Sequence, residues 1–494
     1  MRELIEKLLK NPTASNLEKL RREYGKRGGT IPSNSSILAN CTEEEKKKLK
    51  VLRTKPVRSL SGISVIAVMY PGYECPGKCI YCPTSEIAPK SYTGYEPAAR
   101  RARSNNFNPY KQIQNRLDQL HGGGHPTDKC EMIIMGGTFP SETKEYQERF
   151  TKRCFDALNN KTSRTLKTAQ KLNETSKNRC IGLTIETRPD FCSDEEIEIM
   201  LNLGSTRVEL GVQSVYDDVL KKICRGHDVQ ETIDATERAK KAGMKVVYHI
   251  MPGLPGSDKG KDIRMFKKLF SNNDFKPDMM KLYPCLVIPG TKLHKMWKKG
   301  EYKPFSTEDA VEVITKATKY FPKYMRIMRM QRDIPINRIA AGSMKSNVTE
   351  LVTQKLAEKG ESCPCIRCRE IGHKKVPGTE FELKRLDYKA SKGKEIFLSY
   401  ENKENDSIAA FLRLRHDENA TIRELRVYGE HVPIGEKLIS AKQHYGFGKK
   451  LLEEAERISD YEKLRILSGI GTKPYYRKFG YKDDGFYLSK EIGQ

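Results

Sequence analysis

From Ile63 onward, short apolar runs alternate with amphipathic stretches of helical period, and this alternation restricts the chain to parallel-sheet architectures. The runs are ISVIAVMY (63–70), EMIIM (131–135), IGLTIE (181–186), RVELGV (207–212), KVVYHIM (245–251) and MMKLY (279–283). Among the intervening helical segments, SDEEIEIMLN (193–202) opens on Ser193 with Glu196 three residues on, a capping box. QETIDATERAKKAG (230–243) closes on Gly243. Strand and helix in alternation call for right-handed crossovers. Six such strands suit a partial or complete (β/α) barrel, whose active site lies at the C-terminal strand ends.

A chain of 494 residues exceeds what one core supports, so further domains are expected. Residues 1–60 read as charged helices and loops, punctuated at Gly25, Gly28, Gly29 and Pro32. The barrel pattern occupies 61–334, and around 335–378 the periodicity breaks into a linker. From 379 to 494 the strand-like segments FELKRLDY, EIFLSYE, IAAFLRLR and TIRELRVYG precede a helix, GKKLLEEAERIS (448–459), and a strand, LRILSGIG. These make a second, smaller α/β domain.

Lys plus Arg number 90 against 64 Asp plus Glu, a net charge of +26. The excess is strong in residues 1–58, which hold fifteen basic and seven acidic side chains, and it recurs at Arg100, Arg101 and Arg103. A polyanionic partner accounts for it through counterion release, and a solubilising lysine surface is the plainer account. No run of about 18 apolar residues is present, and the amphipathic start lacks the apolar centre of a signal peptide, so the protein is expected in the cytoplasm. Thirteen unevenly spaced cysteines, six of them in two tight clusters, argue for metal sites over a disulfide scaffold.

Cys75, Cys79 and Cys82 (CPGKCIYC) follow the first strand of the βα series. Three thiolates at this spacing can bind three irons of a cubane from one loop and leave the fourth iron open. A zinc loop short of one ligand and three unrelated thiols are the alternatives. The loop resembles that of the radical S-adenosylmethionine (SAM) superfamily. The resemblance implies a [4Fe–4S] cluster, SAM chelated at the open iron, and reductive formation of a 5′-deoxyadenosyl radical. Gly136 and Gly137 after the second strand resemble the superfamily's glycine motif, which meets the SAM amino group. Glu186 and Arg188 end the third strand, where a carboxylate and a guanidinium suit the ribose and carboxylate of SAM. Gln213 follows the fourth strand, and His249 lies in the fifth.

Cys363, Cys365 and Cys368, with His373 beyond, offer three soft ligands and an imidazole, a set suited to a tetrahedral structural zinc. A second iron–sulfur cluster and free thiols are the alternatives, and a distant residue or water can replace His373.

Gln443, Gly446, Phe447, Gly448 and Lys449 lead directly into an amphipathic helix. A glycine-rich backbone at a helix N-terminus presents free N–H groups to a pyrophosphate. The pattern matches the Q-x-x-G-x-G signature of the GNAT acetyltransferase fold, which implies acetyl-CoA. The preceding strand residues Glu424, Leu425, Arg426 and Val427 can pair with the pantetheine amide. Tyr475 and Tyr476 match the fold's closing motif, where a tyrosine hydroxyl lies near the thioester sulfur; Tyr476 is the better match.

Both modules in this order resemble the family of Elongator catalytic subunits in its archaeal form. The stretches SYTGYEPAARRA, IIMGGTF, IETRPDFC, RGHD and MQRDIP carry the same resemblance. The compact CPGKCIYC spacing and the fuller cysteine set at 363–368 depart from eukaryotic members. The resemblance implies a tRNA uridine carboxymethyltransferase: the radical takes hydrogen from the acetyl methyl, and the resulting carbon adds to C5 of the wobble uridine. It also implies that Lys129 contacts acetyl-CoA from the barrel side. Lys281 is a further candidate catalytic group at the barrel mouth, an exposed solvated lysine being the alternative for both. Two other functional classes remain, a protein lysine acetyltransferase with a structural Fe–S domain and a non-catalytic tRNA-binding scaffold. The electron donor, the tRNAs used and self-association into a homodimer are left open.

Overall fold

A computed structural model describes residues 1–26, 31–54, 62–72, 75–372, 380–429 and 446–493. His373 and Gln443 lie outside the described residues.

The N-terminal segment forms four helices, Arg2–Lys10, Ala14–Lys26, Asn34–Ala39 and Glu43–Lys48, the last opened by a Thr42/Glu45 capping box. They enclose a small core of their own, including Leu4, Ile5, Leu8, Leu17, Ile37 and Leu52. Its attachment to the rest includes Arg53 Nε donating to the Gly124 carbonyl at 3.0 Å.

The first sheet contains seven parallel strands in sequential order: β1 (Ile63–Met69), β2 (Lys129–Met135), β3 (Arg179–Thr187), β4 (Arg207–Gln213), β5 (Lys245–Ile250), β6 (Met279–Leu282) and β7 (Arg326–Arg329). Helices cover its outer face, and β7 does not return to pair with β1, so the barrel is partial. The expected capping box at Ser193/Glu196 is present, and Asp228/Glu231 and Ser306/Asp309 add two more. Six strands are expected from the sequence and the seventh is not, because RIMR offers two apolar residues between arginines. Its place is fixed instead by pairing with β6. The 335–378 segment also departs from expectation. Val348–Ala357 is helical, with Val348, Val352 and Leu356 buried in the main core, and Ile366–Arg369 forms one further turn.

The second sheet is mixed, with strands β8 (Glu382–Ala390), β9 (Gly393–Asn402), β10 (Ser407–His416), β11 (Ala420–Val427), β12 (Lys463–Ile466), β13 (Lys482–Asp484) and β14 (Tyr487–Glu491) in the order β13-β14-β12-β11-β10-β9-β8. The strand expected over LRILSGIG stops at Ile466. The remainder turns onto β3, where a Cβ on Gly469 would lie 2.2 Å from the Ile181 carbonyl oxygen. No larger residue fits that approach.

The apolar core runs through both sheets. Between them lies a buried ion cluster: Arg423 bonds Asp278 at 2.5 Å and Glu395 at 2.8 Å, and Arg415 joins Glu395 at 3.0 Å. Removing one partner would strand a buried charge, so the cluster fixes the two domains against each other. Among the described residues, no helix is long and apolar enough to cross a membrane.

Candidate functional site

Two cavities open at opposite ends of the first sheet. The upper one, about 170 Å³, lies at the C-terminal strand ends. Cys75, Cys79 and Cys82 line it together with Gly137, Glu186, Arg188, Gln213 and His249. Cys79 is held by Arg225, whose Nη1 lies 3.3 Å from the sulfur. Hydrogen bonding from Cys82, reinforced against burial by the Arg225 guanidinium, lowers the Cys79 thiol to about 5. A thiolate is the metal-binding form of cysteine, and Cys79 carries that charge while the same contact and burial hold the Cys82 thiol well above its ordinary value. Among the described residues, two sets of ligand atoms lie within 4.8 Å of one another, Cys363/Cys365/Cys368 and Glu186/Glu209/His249. The upper trio is not one of these. Three thiols lining one cavity from a single loop suit a multi-iron cluster, in which each binds a different iron.

The glycines after β2 have a steric reason. Gly136 and Gly137 adopt φ +139° and +112°, and a Cβ on Gly136 would meet the Tyr70 ring at 2.8 Å. Gly137 instead turns bare backbone toward the cavity. Glu186 accepts from the Tyr92 hydroxyl at 3.0 Å. Arg188 commits two nitrogens to Asp190, at 2.9 and 2.5 Å, while its buried Nη1 has no partner. Gln213, strained at φ +68°, likewise has a buried, unpartnered Oε1. Both unused atoms belong to residues lining the cavity, as a polar ligand there requires.

Lys281 is buried beneath this cavity, not exposed at its mouth. It pairs closely with Glu209 and lies 3.5 Å from Glu186. Burial opposes its charge, but Glu209 and the neighbouring carboxylate prevail and raise it above the ordinary lysine value. It is therefore an ammonium at neutral pH and cannot serve as a base.

The lower cavity, about 470 Å³, opens at the N-terminal strand ends, between the two sheets. Its shape comes from a splay. β11 pairs with β12 in parallel through only Ala420, Thr421 and Ile422, after which the strands part. Glu424, Leu425, Arg426 and Val427 then line the opening. Opposite them lies the start of the helix Phe447–Arg457, whose N-cap Gly446 has φ +71°. Gly446, Gly448, Lys449, Tyr475 and Tyr476 line the cavity, and so does Lys129 from the first domain, whose charge burial disfavours. Phe447 differs: its ring packs tilted against Tyr400, with ring centres 4.5 Å apart, in the core, leaving only its backbone at the helix start. Tyr475 directs its hydroxyl at Gly448, 2.5 Å from where a Cβ would stand.

Cys363, Cys365 and Cys368 gather at the junction of the domains. The turn carrying them is tied to the first sheet by Arg367 Nη1 donating to Met328 at 2.8 Å, and to the second by Ile371 N donating to Ile408 at 3.1 Å.

Sequence reasoning misses Arg225, Glu209, Tyr92 and Arg207. Arg225 lies within the RGHD stretch, so a motif marks it. Glu209 and Arg207 are charged residues inside an otherwise apolar strand, which is signal enough in a parallel sheet buried on both faces.

Comparison with known proteins gives three family matches: an ELP3 N-terminal domain over residues 1–60, the Radical SAM superfamily over 69–269, and a Radical_SAM C-terminal domain over 277–358. A protein named tRNA uridine(34) acetyltransferase from Methanocaldococcus infernus is 50% identical over 100% of this chain and 99% of its own. Elongator complex protein 3 of Homo sapiens is 42% identical over 93% of this chain and 90% of its own. The solved structure of the archaeal M. infernus Elp3 with N-terminus deletion (1-46) superposes with a TM-score of 0.78 at 47% identity, covering 88% of this chain and 100% of that one.

Proposed function

This chain belongs to the Elongator complex protein 3 family, and from that premise we propose that it modifies the wobble uridine of tRNA, placing a carboxymethyl group from acetyl-CoA on C5. The observation that carries the reading is the pairing of two cavities on one sheet, one fitted to a radical generator and the other to a thioester. When bound, the [4Fe–4S] cluster and SAM supply the radical that takes hydrogen from the acetyl methyl. The chain's own residues do the rest. Cys75, Cys79 and Cys82 hold the cluster, with Arg225 stabilising the Cys79 thiolate. Gly136 and Gly137 would give the SAM amino group a bare backbone, Arg188 Nη1 would meet its carboxylate and Glu186 its ribose, with Gln213 lining the same site.

In the lower cavity the backbone at Gly446 and Gly448 grips the CoA pyrophosphate at a helix N-terminus. The unpaired stretch of β11 receives the pantetheine, Lys129 adds a cation from the barrel side, and a tyrosine hydroxyl serves the thioester end. Cys363, Cys365 and Cys368 hold a structural zinc, so purified protein should retain about one zinc per chain after mild chelation. Iron there, lost with these cysteines, would make it a cluster. The basic N-terminal helices take the tRNA, and the enzyme works in the cytoplasm.

Protein lysine acetylation is not favoured. The described carboxylates lining the lower cavity are ion-paired, Glu424 to Arg413 at 2.9 Å and Glu131 to Arg207, and the guanidiniums overcome burial to hold both below the ordinary carboxylate value, which makes them poor bases for an amine. The test is anaerobic incubation with SAM, reductant, tRNA and acetyl-labelled acetyl-CoA, read by nucleoside mass spectrometry. Label in carboxymethyluridine is expected; modified uridine without label would overturn the reading.

A further inference from the structure

The two cavities are separated by a single layer of side chains inside the partial barrel. On β3, Thr184 lines the lower cavity and Glu186 the upper one. Two residues of strand correspond to about 7 Å, and on β4 and β5 the lining pairs Arg207/Gly211 and Lys245/His249 are four residues apart, about 13 Å. Ile133, Glu209, Val247, Met279 and Lys281 line neither cavity, and a chain of ion pairs runs into this mixed layer from the lower cavity wall. Arg426 lies 3.8 Å from Glu131, Glu131 pairs with Arg207, Arg207 lies 4.0 Å from Glu209, and Glu209 pairs with Lys281. Strand alternation adds Val247 and Met279 to this inner face, since their neighbours Val246, Tyr248 and Met280 join the helix-covered core.

A sealed partition would be apolar or fully hydrogen-bonded. This one is neither. Arg207 Nε and Nη2, Glu209 Oε1 and Thr184 Oγ1 are all buried without a hydrogen-bond partner. Arg207 and Thr184 also line the lower cavity, so part of this unused capacity faces it. A carbonyl entering from below would meet the unspent Arg207 Nη2, Nε being turned toward Glu209 Oε1 4.0 Å away.

We propose that this layer is a polar gate, through which the acetyl end of the thioester passes from the lower cavity toward the upper one while the CoA pyrophosphate stays at the helix start. The inference rests on acetyl-CoA occupying the lower cavity.

Bromoacetyl-CoA tests it, because its electrophilic carbon replaces the acetyl methyl and alkylates a nearby thiolate with loss of bromide. Full-length, cluster-loaded protein carrying Ser468→Cys, on the lower cavity wall, or Met279→Cys, within the gate, would be treated anaerobically and mapped by peptide mass spectrometry against the native chain. Both engineered sites should be labelled above background. Adding Ile133→Trp, on β2 at a position that lines neither cavity, should reduce labelling at 279 at least tenfold and leave labelling at 468 unchanged. Labelling at 468 with only background at 279 would overturn the gate and leave the acyl site standing. Background at both would overturn the acyl site and the gate with it. Should Met279→Cys unfold, as judged by its melting transition, Val247→Cys reads the same layer.

Discussion

The upper cavity is built from side chains and the lower one from backbone, and the two respond differently to substitution. Above, thiols, carboxylates and guanidiniums from separate strand ends line the cavity with their own atoms. Below, the opening exists because β11 leaves β12 after three residue pairs and a glycine starts the facing helix. A side-chain site fails when an atom is removed, whereas a backbone site fails when an atom is added.

The largest effect tests the first half of that contrast. Cys79→Ala should abolish reductive SAM cleavage, by at least a thousandfold, because it removes the thiolate that Arg225 stabilises. CoA binding to the same variant should remain within about twofold of wild type. Undiminished 5′-deoxyadenosine formation by reconstituted protein would refute the cluster assignment.

The second half is tested by addition. Gly446→Asp together with Gly448→Asp places charge against pyrophosphate, and a Cβ at 448 also collides with Tyr475. Desulfo-CoA affinity, measured by calorimetry, should fall at least a hundredfold while SAM cleavage without acceptor continues. Equal loss of both activities would show that the cavities are not separable.

A third region sharpens the comparison, because the N-terminal helices form a core apart from either cavity. Deleting residues 1–58 should weaken tRNA binding more than tenfold and flatten its salt dependence, since basic side chains there are lost. Unchanged affinity and salt slope would assign that charge to solubility.

The contrast also explains what the sequence reveals. Cys75, Cys79, Cys82, Glu186 and Arg188 are legible because each sits at a strand end within a short motif, and the parallel sheet follows from the alternation of apolar runs. Glu209 and Arg225 are harder to read because their roles depend on partners 72 and 146 residues away, Lys281 and Cys79 respectively. The splay of β11 from β12 leaves no residue signature beyond the glycines facing it. Strand β7 and the helix Val348–Ala357 are hidden for a further reason: their places are fixed by pairing and packing on a sheet already formed.

The smallest effect separates the two tyrosines of the lower cavity. Tyr475 is 39% exposed and Tyr476 only 7% exposed, yet both line the opening. Burial holds both hydroxyls above the ordinary tyrosine value, so both remain phenols able to donate at neutral pH. The Tyr475 hydroxyl lies against Gly448, at the end assigned to the pyrophosphate, where backbone N–H groups carry most of the binding. Removing it costs one hydrogen bond, about 0.5–1.5 kcal/mol, which is roughly a two- to tenfold loss of CoA affinity. Tyr476 matches the family position at the thioester end. Its replacement by Phe should therefore leave CoA affinity near wild type and slow acetyl-CoA turnover by a similar factor. Calorimetry with desulfo-CoA and turnover with acetyl-CoA and tRNA, run on both variants, decide the matter. If Tyr475→Phe slows turnover without weakening binding, and Tyr476→Phe does the reverse, the polarity assigned to the bound thioester is wrong and the acetyl group would point away from Arg207.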